Sequence, residues 1–245
     1  MASTPMALQQ THGAFHGRRK AAGRMAVCYR KPSYTMDLLL LVILVAGASF
    51  VLRTKAQKQR VAVLAYFLRN YDIEKLMERL VGGYMRALDE KDPARQQQIW
   101  ELQQPVENSL SNQFGSFAQA LSQAPAPANG ASFQINTQAF GFPFARLIEK
   151  MSGNHSGFDL RKAIRLHADG IARVVANQEE RAPKDRAFTL LAELYLMQHT
   201  CHWYCKSKAV ASARMRLRNQ TTYEQVVQSV SPATRRAYLA LLSGH

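Results

Sequence analysis

Leu38–Leu52 reads LLLLVILVAGASFVL, fifteen residues without a charge and with no group more polar than the Ser49 hydroxyl. As a helix rising about 1.5 Å per residue the run spans roughly 22 Å, short of the ~30 Å hydrocarbon core of a bilayer. Both ends can close the gap. Tyr34, Thr35 and Met36 extend the helix on one side, and Arg53 and Lys55 can snorkel to the headgroups on the other. The reading is mainly α: one N-terminal transmembrane helix over residues 36–52, followed by an α-helical domain of about 190 residues.

A second reading treats the same run as a cleaved signal. Translation would start at Met25, Arg30 and Lys31 would form the basic lead, and Ala46-Gly47-Ala48 would be the cleavage site, the cut falling after Ala48. Against it, Ser49-Phe50-Val51-Leu52 continues the apolar run past the cut. The uncleaved signal anchor is therefore preferred.

The net charge of +15 is unevenly spread: residues 1–60 carry +9, residues 61–159 carry −2 and residues 160–245 carry +8. Basic flanks beside an apolar helix suit anionic headgroups. Six Lys/Arg precede the run and five follow it closely (Arg53, Lys55, Lys58, Arg60, Arg69). The positive-inside rule then puts the N-terminus in the cytoplasm and the C-terminal domain outside the cell (inner) membrane, by a margin of one charge.

Upstream, residues 1–35 lack acids and apolar periodicity and read as a disordered basic arm. Downstream, 53–121 is expected to be helical. Val61–Leu68 should continue the membrane helix onto the domain. Asp72 can then cap the clearest amphipathic helix, with Ile73, Leu76, Met77, Leu80, Tyr84 and Leu88 on one face together with Val81 and Met85. That face suits a core or a seam with a partner helix, and Gly82-Gly83 permits close approach. Asp92-Pro93 starts a helix to about Gln104, and Pro105 starts another with Val106, Leu110, Phe114, Phe117 and Leu121 inward.

Residues 122–145 read as a linker (SQAPAPANGAS, Ser122–Ser132) and an aromatic loop. From 146 to 245 the chain should be helical again. Ser156 caps Phe158 to about Gln178, and Pro183 opens a long helix to about Arg218. Thr222 and Gln225 form a capping box, and Ser231-Pro232 starts the last helix. Ser231–Leu242, SPATRRAYLALL, resembles the Ser-x-x-Thr-x-x-x-Tyr-x-x-x-Leu opening helix of tyrosine-recombinase core-binding domains. The likeness spans twelve residues, and no recombinase activity is inferred from it.

One cluster invites chemistry. On a helix Cys201 and Cys205 lie about 40° apart and His202 about 60° further on, so three ligand types share one arc that could hold zinc or copper. His199 would have to reach, and His155 and His167 stand alone. The alternatives are two buried thiols on a core face, or a strained Cys201–Cys205 disulfide in an exported domain. Three cysteines in all (Cys28 is the third) are too few for a disulfide-built fold.

Arg214, Arg216, Arg218, Arg235 and Arg236 make a basic patch for nucleic acid or lipid. There is no P-loop, G-x-G-x-x-G, H-E-x-x-H or G-x-S-x-G, so the reading leans away from an enzyme and names no catalytic residue. The expectation is a membrane-anchored protein working through protein contacts, as a structural or assembly component of a bacterial-type envelope complex of the secretion or transfer kind. Self-association is a further option, and a membrane-tethered nucleic-acid binder or a metal or redox site is the alternative.

Overall fold

The computed structural model describes residues 34–127, 130–137 and 157–244. Cys28, the basic arm up to residue 33, Ser156, His155 and most of the aromatic loop lie outside them. The chain divides into two units, Met1–Ile43 and Leu44–His245. The described part of the first is the opening of helix α1, which runs unbroken over Tyr34–Leu68.

α1 is long and apolar enough to cross a membrane. Leu38 to Leu44 are 57–62% exposed. The hydroxyls of Ser49 in the run and of Thr54 just beyond it turn inward to the helix. Ser49 Oγ donates to the Val45 carbonyl (2.6 Å) and Thr54 Oγ1 to that of Phe50 (2.9 Å), so each hydroxyl is satisfied within its own helix. The end of α1 joins the domain: Val63 and Leu64 are buried in its core, and Arg60 donates to the Tyr204 carbonyl (3.2 Å).

α2 (Ile73–Asp89) and α3 (Pro93–Ser122) form an antiparallel hairpin. Gln96 donates to the Ala87 carbonyl at the turn, Tyr84 packs on Trp100 midway, and Tyr71 meets Phe117 at the open end. Gly83 faces α3, where a Cβ would overlap the Gln103 side chain. Phe114 and Phe117 are almost fully buried, each contributing about 1.5–3 kcal/mol.

Pro105 does not start a new helix, contrary to the sequence reading. α3 runs straight through it. The missing N–H leaves the Glu101 carbonyl unpaired, but Glu101 and Pro105 lie on the exposed face and water can serve that carbonyl. The burial of Trp100, Val106 and Leu110 on either side holds the helix together.

After α3, β1 (Gln134–Asn136) pairs antiparallel with β2 (Gly157–Asp159), with Ile135 opposite Phe158. α4 (Leu160–Val175) follows directly. Its cap is Asp159, whose Oδ1 accepts from the Arg161 N–H (2.7 Å), and Phe158 belongs to the strand instead of the helix. α5 (Pro183–Cys205) is the central helix, packed against α4 and followed by α6 (Lys208–Asn219), α7 (Tyr223–Ser229) and α8 (Pro232–Ser243).

The expected single helix from Pro183 to Arg218 is thus two. Lys206 leaves helical geometry (φ −129°, ψ −88°), and Ser207 Oγ accepts from the Val210 N–H (3.3 Å), starting α6 afresh. The caps at Asp92, Thr222 with Gln225, and Ser231 form as read. Asp72 stands at the N-cap of α2, but its carboxylate goes to Lys75.

Candidate functional site

The face read on α2 is used inside the domain. Ile73, Leu76, Met77, Leu80 and Tyr84 are buried in the core that α2 shares with α3, and Leu88 remains 44% exposed.

Cys201, His202 and Cys205 lie on the last turns of α5. Both thiols are free. Cys201 packs on Met197 (Sγ–Sδ 3.9 Å), and burial pushes its thiol up to about 12; Cys205 is raised by the same cause. His202 donates from Nδ1 to the Gln198 carbonyl (2.7 Å) and lines a small cleft with Arg214 and Arg218. Burial, and then those two arginines, hold its imidazolium form down. Among the described residues no three His, Cys, Asp or Glu side chains converge on a metal-holding position.

The basic patch is divided. Arg214, Arg216 and Arg218 are exposed on α6, Arg218 lying 3.8 Å from Glu78 of α2. On α8, Arg236 is exposed and Arg235 donates to the Gln228 side chain (2.8 Å).

The main polar assembly was not anticipated. It lies where α4, α5, α7 and α8 meet. His167 and Glu193 are fully buried, His199 nearly so. His167 Nε2 lies 2.9 Å from Thr200 Oγ1, and Thr200 gives its own proton to the Leu196 carbonyl (3.0 Å). The imidazole must therefore be the donor, which leaves Nδ1 bare beside the Tyr238 ring. Protonating Nδ1 would place a charge with no acceptor in apolar packing, and burial accordingly lowers the His167 pKa to about 3. His199 stacks on Tyr223 (4.6 Å between centroids) and reaches Ser212 with Nε2 (3.0 Å). Burial, with Lys208 nearby, lowers its pKa to about 4.

Glu193 Oε1 accepts from the Ser231 N–H (3.0 Å) and hydroxyl (2.9 Å), placing a carboxylate at the start of α8 where the helix dipole favours one. Burial nonetheless raises its pKa. Gly170 makes room: a Cβ there would stand 2.5 Å from Thr234 Oγ1 and 2.7 Å from Glu193 Oε2. Gly170→Ala should cost about 2 kcal/mol even after the ~1 kcal/mol gained in helix propensity, read as a lower urea midpoint at unchanged slope. An unchanged midpoint would mean that the Glu193 and Thr234 side chains can give way.

Compared with protein-family models, curated proteins and solved structures, the chain matches none. The polar assembly is buried among its own helices, and its hydrogen bonds run in separate sets: Glu193 with Ser231, His167 with Thr200, and His199 with Ser212. Chemically it locks α8 onto α4 and α5 in a single arrangement. What faces outward is different: the apolar run of α1, the arginines of α6, and an open cleft of about 460 Å³ between α3 and α4, lined by small residues such as Gly115 and Ala118 with Arg165 and Asp169.

Proposed function

We propose that this chain is a single-pass membrane protein whose helical domain acts by contact with other proteins, as a structural or assembly component of a bacterial-type envelope complex. The observation that carries the reading is α1. Its first half is an exposed apolar helix, and without a break its last turns enter the domain core through Val63 and Leu64. A helix built in this way fits a tether that holds a folded domain at a bilayer surface. The small-residue cleft between α3 and α4, with a cation and an anion at its rim, supports a role in seating a partner's side chains. The six-to-five balance of flanking cations favours the domain outside the cell membrane with the N-terminus in the cytoplasm.

Leu44→Arg tests the tether. An arginine at the centre of a spanning helix costs about 2.5–3.5 kcal/mol on insertion. The parent chain should stay with the membrane after alkaline carbonate extraction, and the variant should move substantially into the supernatant. A parent chain that is itself extracted by carbonate overturns the reading. Sizing in mild detergent tests the second half: a complex larger than the single chain is expected, and a lone monomer without a specific co-purifying protein counts against it. A topology reporter fused after His245 decides which side the domain occupies.

A further inference from the structure

We propose that α6 is a lipid-facing interfacial helix, its outward apolar stripe entering the headgroup layer of an anionic leaflet and its cations binding lipid phosphates. The inference rests on α1 spanning a membrane. At 100° per residue, buried Ala211 and Met215 mark the inner side of α6. The opposite side carries Val210, Ala213 and Leu217 in one stripe, with Val210 49% and Leu217 85% exposed. No large apolar side chain of the described residues is more exposed than Leu217.

Arg214 and Arg218 flank that stripe on one side and Arg216 on the other, all exposed, and Lys208–Asn219 contains no acid. An exposed apolar ridge between cations is the pattern of a helix lying in a membrane interface. It is a poor fit to a purely solvated surface, where the leucine would have no counterpart.

Position gives the second, independent argument. The α5–α6 elbow touches α1 through Lys206, whose Nζ donates to Gln57 Oε1 (3.1 Å). Gln57 is five residues beyond Leu52, the last residue of the apolar run, so it stands about 7.5 Å along the helix from its end. That is headgroup depth for a bilayer of ordinary thickness. Lys55 and Lys58, either side of Gln57 on α1, are exposed, as are Lys206 at the elbow and Lys208 at the start of α6. Lys208, two residues beyond Lys206, is held over the rings of Trp203 and Tyr223, 5.3 and 4.6 Å from their centroids. The start of α6 is thereby fixed within a Debye length of the lipid phosphates.

The test uses the full chain carrying Cys28→Ser, with a single new thiol from Val210→Cys or Leu217→Cys, reconstituted in nanodiscs. One set of discs contains phosphatidylcholine alone and the other adds phosphatidylglycerol. A bulky neutral maleimide reports access, and the parent without the new thiol gives the background from Cys201 and Cys205. Labelling at both positions should slow by about tenfold or more in the anionic discs, and high salt or Arg214→Gln with Arg216→Gln should abolish the slowing. Equal rates in both discs overturn the proposal, as does slowing that persists in the arginine variant. If labelling is equal while the same chain retards a DNA duplex, the cations belong to a nucleic-acid surface and the proposal also falls. A chain that fails to enter discs at all defeats the tether itself, whereas a chain held in discs with a freely labelled α6 defeats only this inference.

Discussion

Lowering the pH from 7 to 5 is expected to remove about 4 kcal/mol of stability from the helical domain, and replacing His167 and His199 together should remove most of that dependence. The two imidazoles are buried neutral, with pKa values lowered to about 3 and about 4. In the unfolded chain both return to about 6.5. Above that pH neither state is protonated and the full stability is present. Below it the unfolded chain takes up protons that the folded chain refuses. Stability then falls as the pH falls, by about 1.4 kcal/mol per pH unit for each group, until the folded-state values are reached.

At pH 5 that amounts to about 2 kcal/mol per histidine, a large part of the 5–15 kcal/mol typical of a domain. His202, also lowered by burial, adds to the loss. Glu193 opposes it: its folded-state pKa is raised, so the folded chain gains a proton first and stability from that group increases as the pH falls. Urea midpoints of the detergent-solubilised chain at pH 7 and 5, for the parent and for His167→Gln with His199→Gln, measure the effect. Equal parental stability at the two values would show that these imidazoles are not held neutral.

The two histidines illustrate what sequence could and could not convey. α1 was legible because a long apolar helix is written in consecutive residues, and α2 because its apolar side chains recur at helical spacing with cations and acids opposite. Caps at Asp92, Thr222 and Ser231 were legible for the same local reason. The break at Lys206 was not, because Ser207 had to be recognised as a cap inside a run of good helix formers. Pro105 misled in the other direction, since packing on either side outweighed one lost backbone bond.

The polar assembly draws on buried residues 167, 193, 199 and 231, which no local period links. Its trace was an acid on an inward face: Glu193 sits between Leu190 and Leu194, as Glu107 sits between Val106 and Leu110. Charged residues are almost never fully buried unless paired. An acid in an apolar stripe is thus a sign of a distant partner, though not of which one. The cluster at Cys201, His202 and Cys205 was equally visible in sequence, but sharing an arc does not aim side chains at a common point. His202 turns to its own Gln198 carbonyl while Cys201 packs on Met197.

The partner of Glu107 is Arg186, and losing it should destabilise the domain by about 3–5 kcal/mol. Glu107 is 1% exposed, at the middle of α3. Tyr84 of α2 donates its hydroxyl to Oε1 (2.6 Å), and Arg186, in the first turn of α5, brings Nη2 to 3.1 Å from Oε2. The cost of Arg186→Met is not the attraction lost, which desolvation largely offsets in the intact pair. It is the carboxylate left behind without a countercharge.

That distinction makes the prediction specific. Adding Glu107→Gln to Arg186→Met removes the stranded charge but keeps an oxygen for the Tyr84 hydroxyl, so it should recover most of the loss. Adding Tyr84→Phe to Arg186→Met should recover none, because it strips the carboxylate of its remaining donor. Urea unfolding of the three variants decides the matter. A loss below about 1 kcal/mol for Arg186→Met would place the pair with screened surface bridges. Failure of Glu107→Gln to rescue would mean that Arg186 holds α5 to α3 through its aliphatic stem and not through its charge.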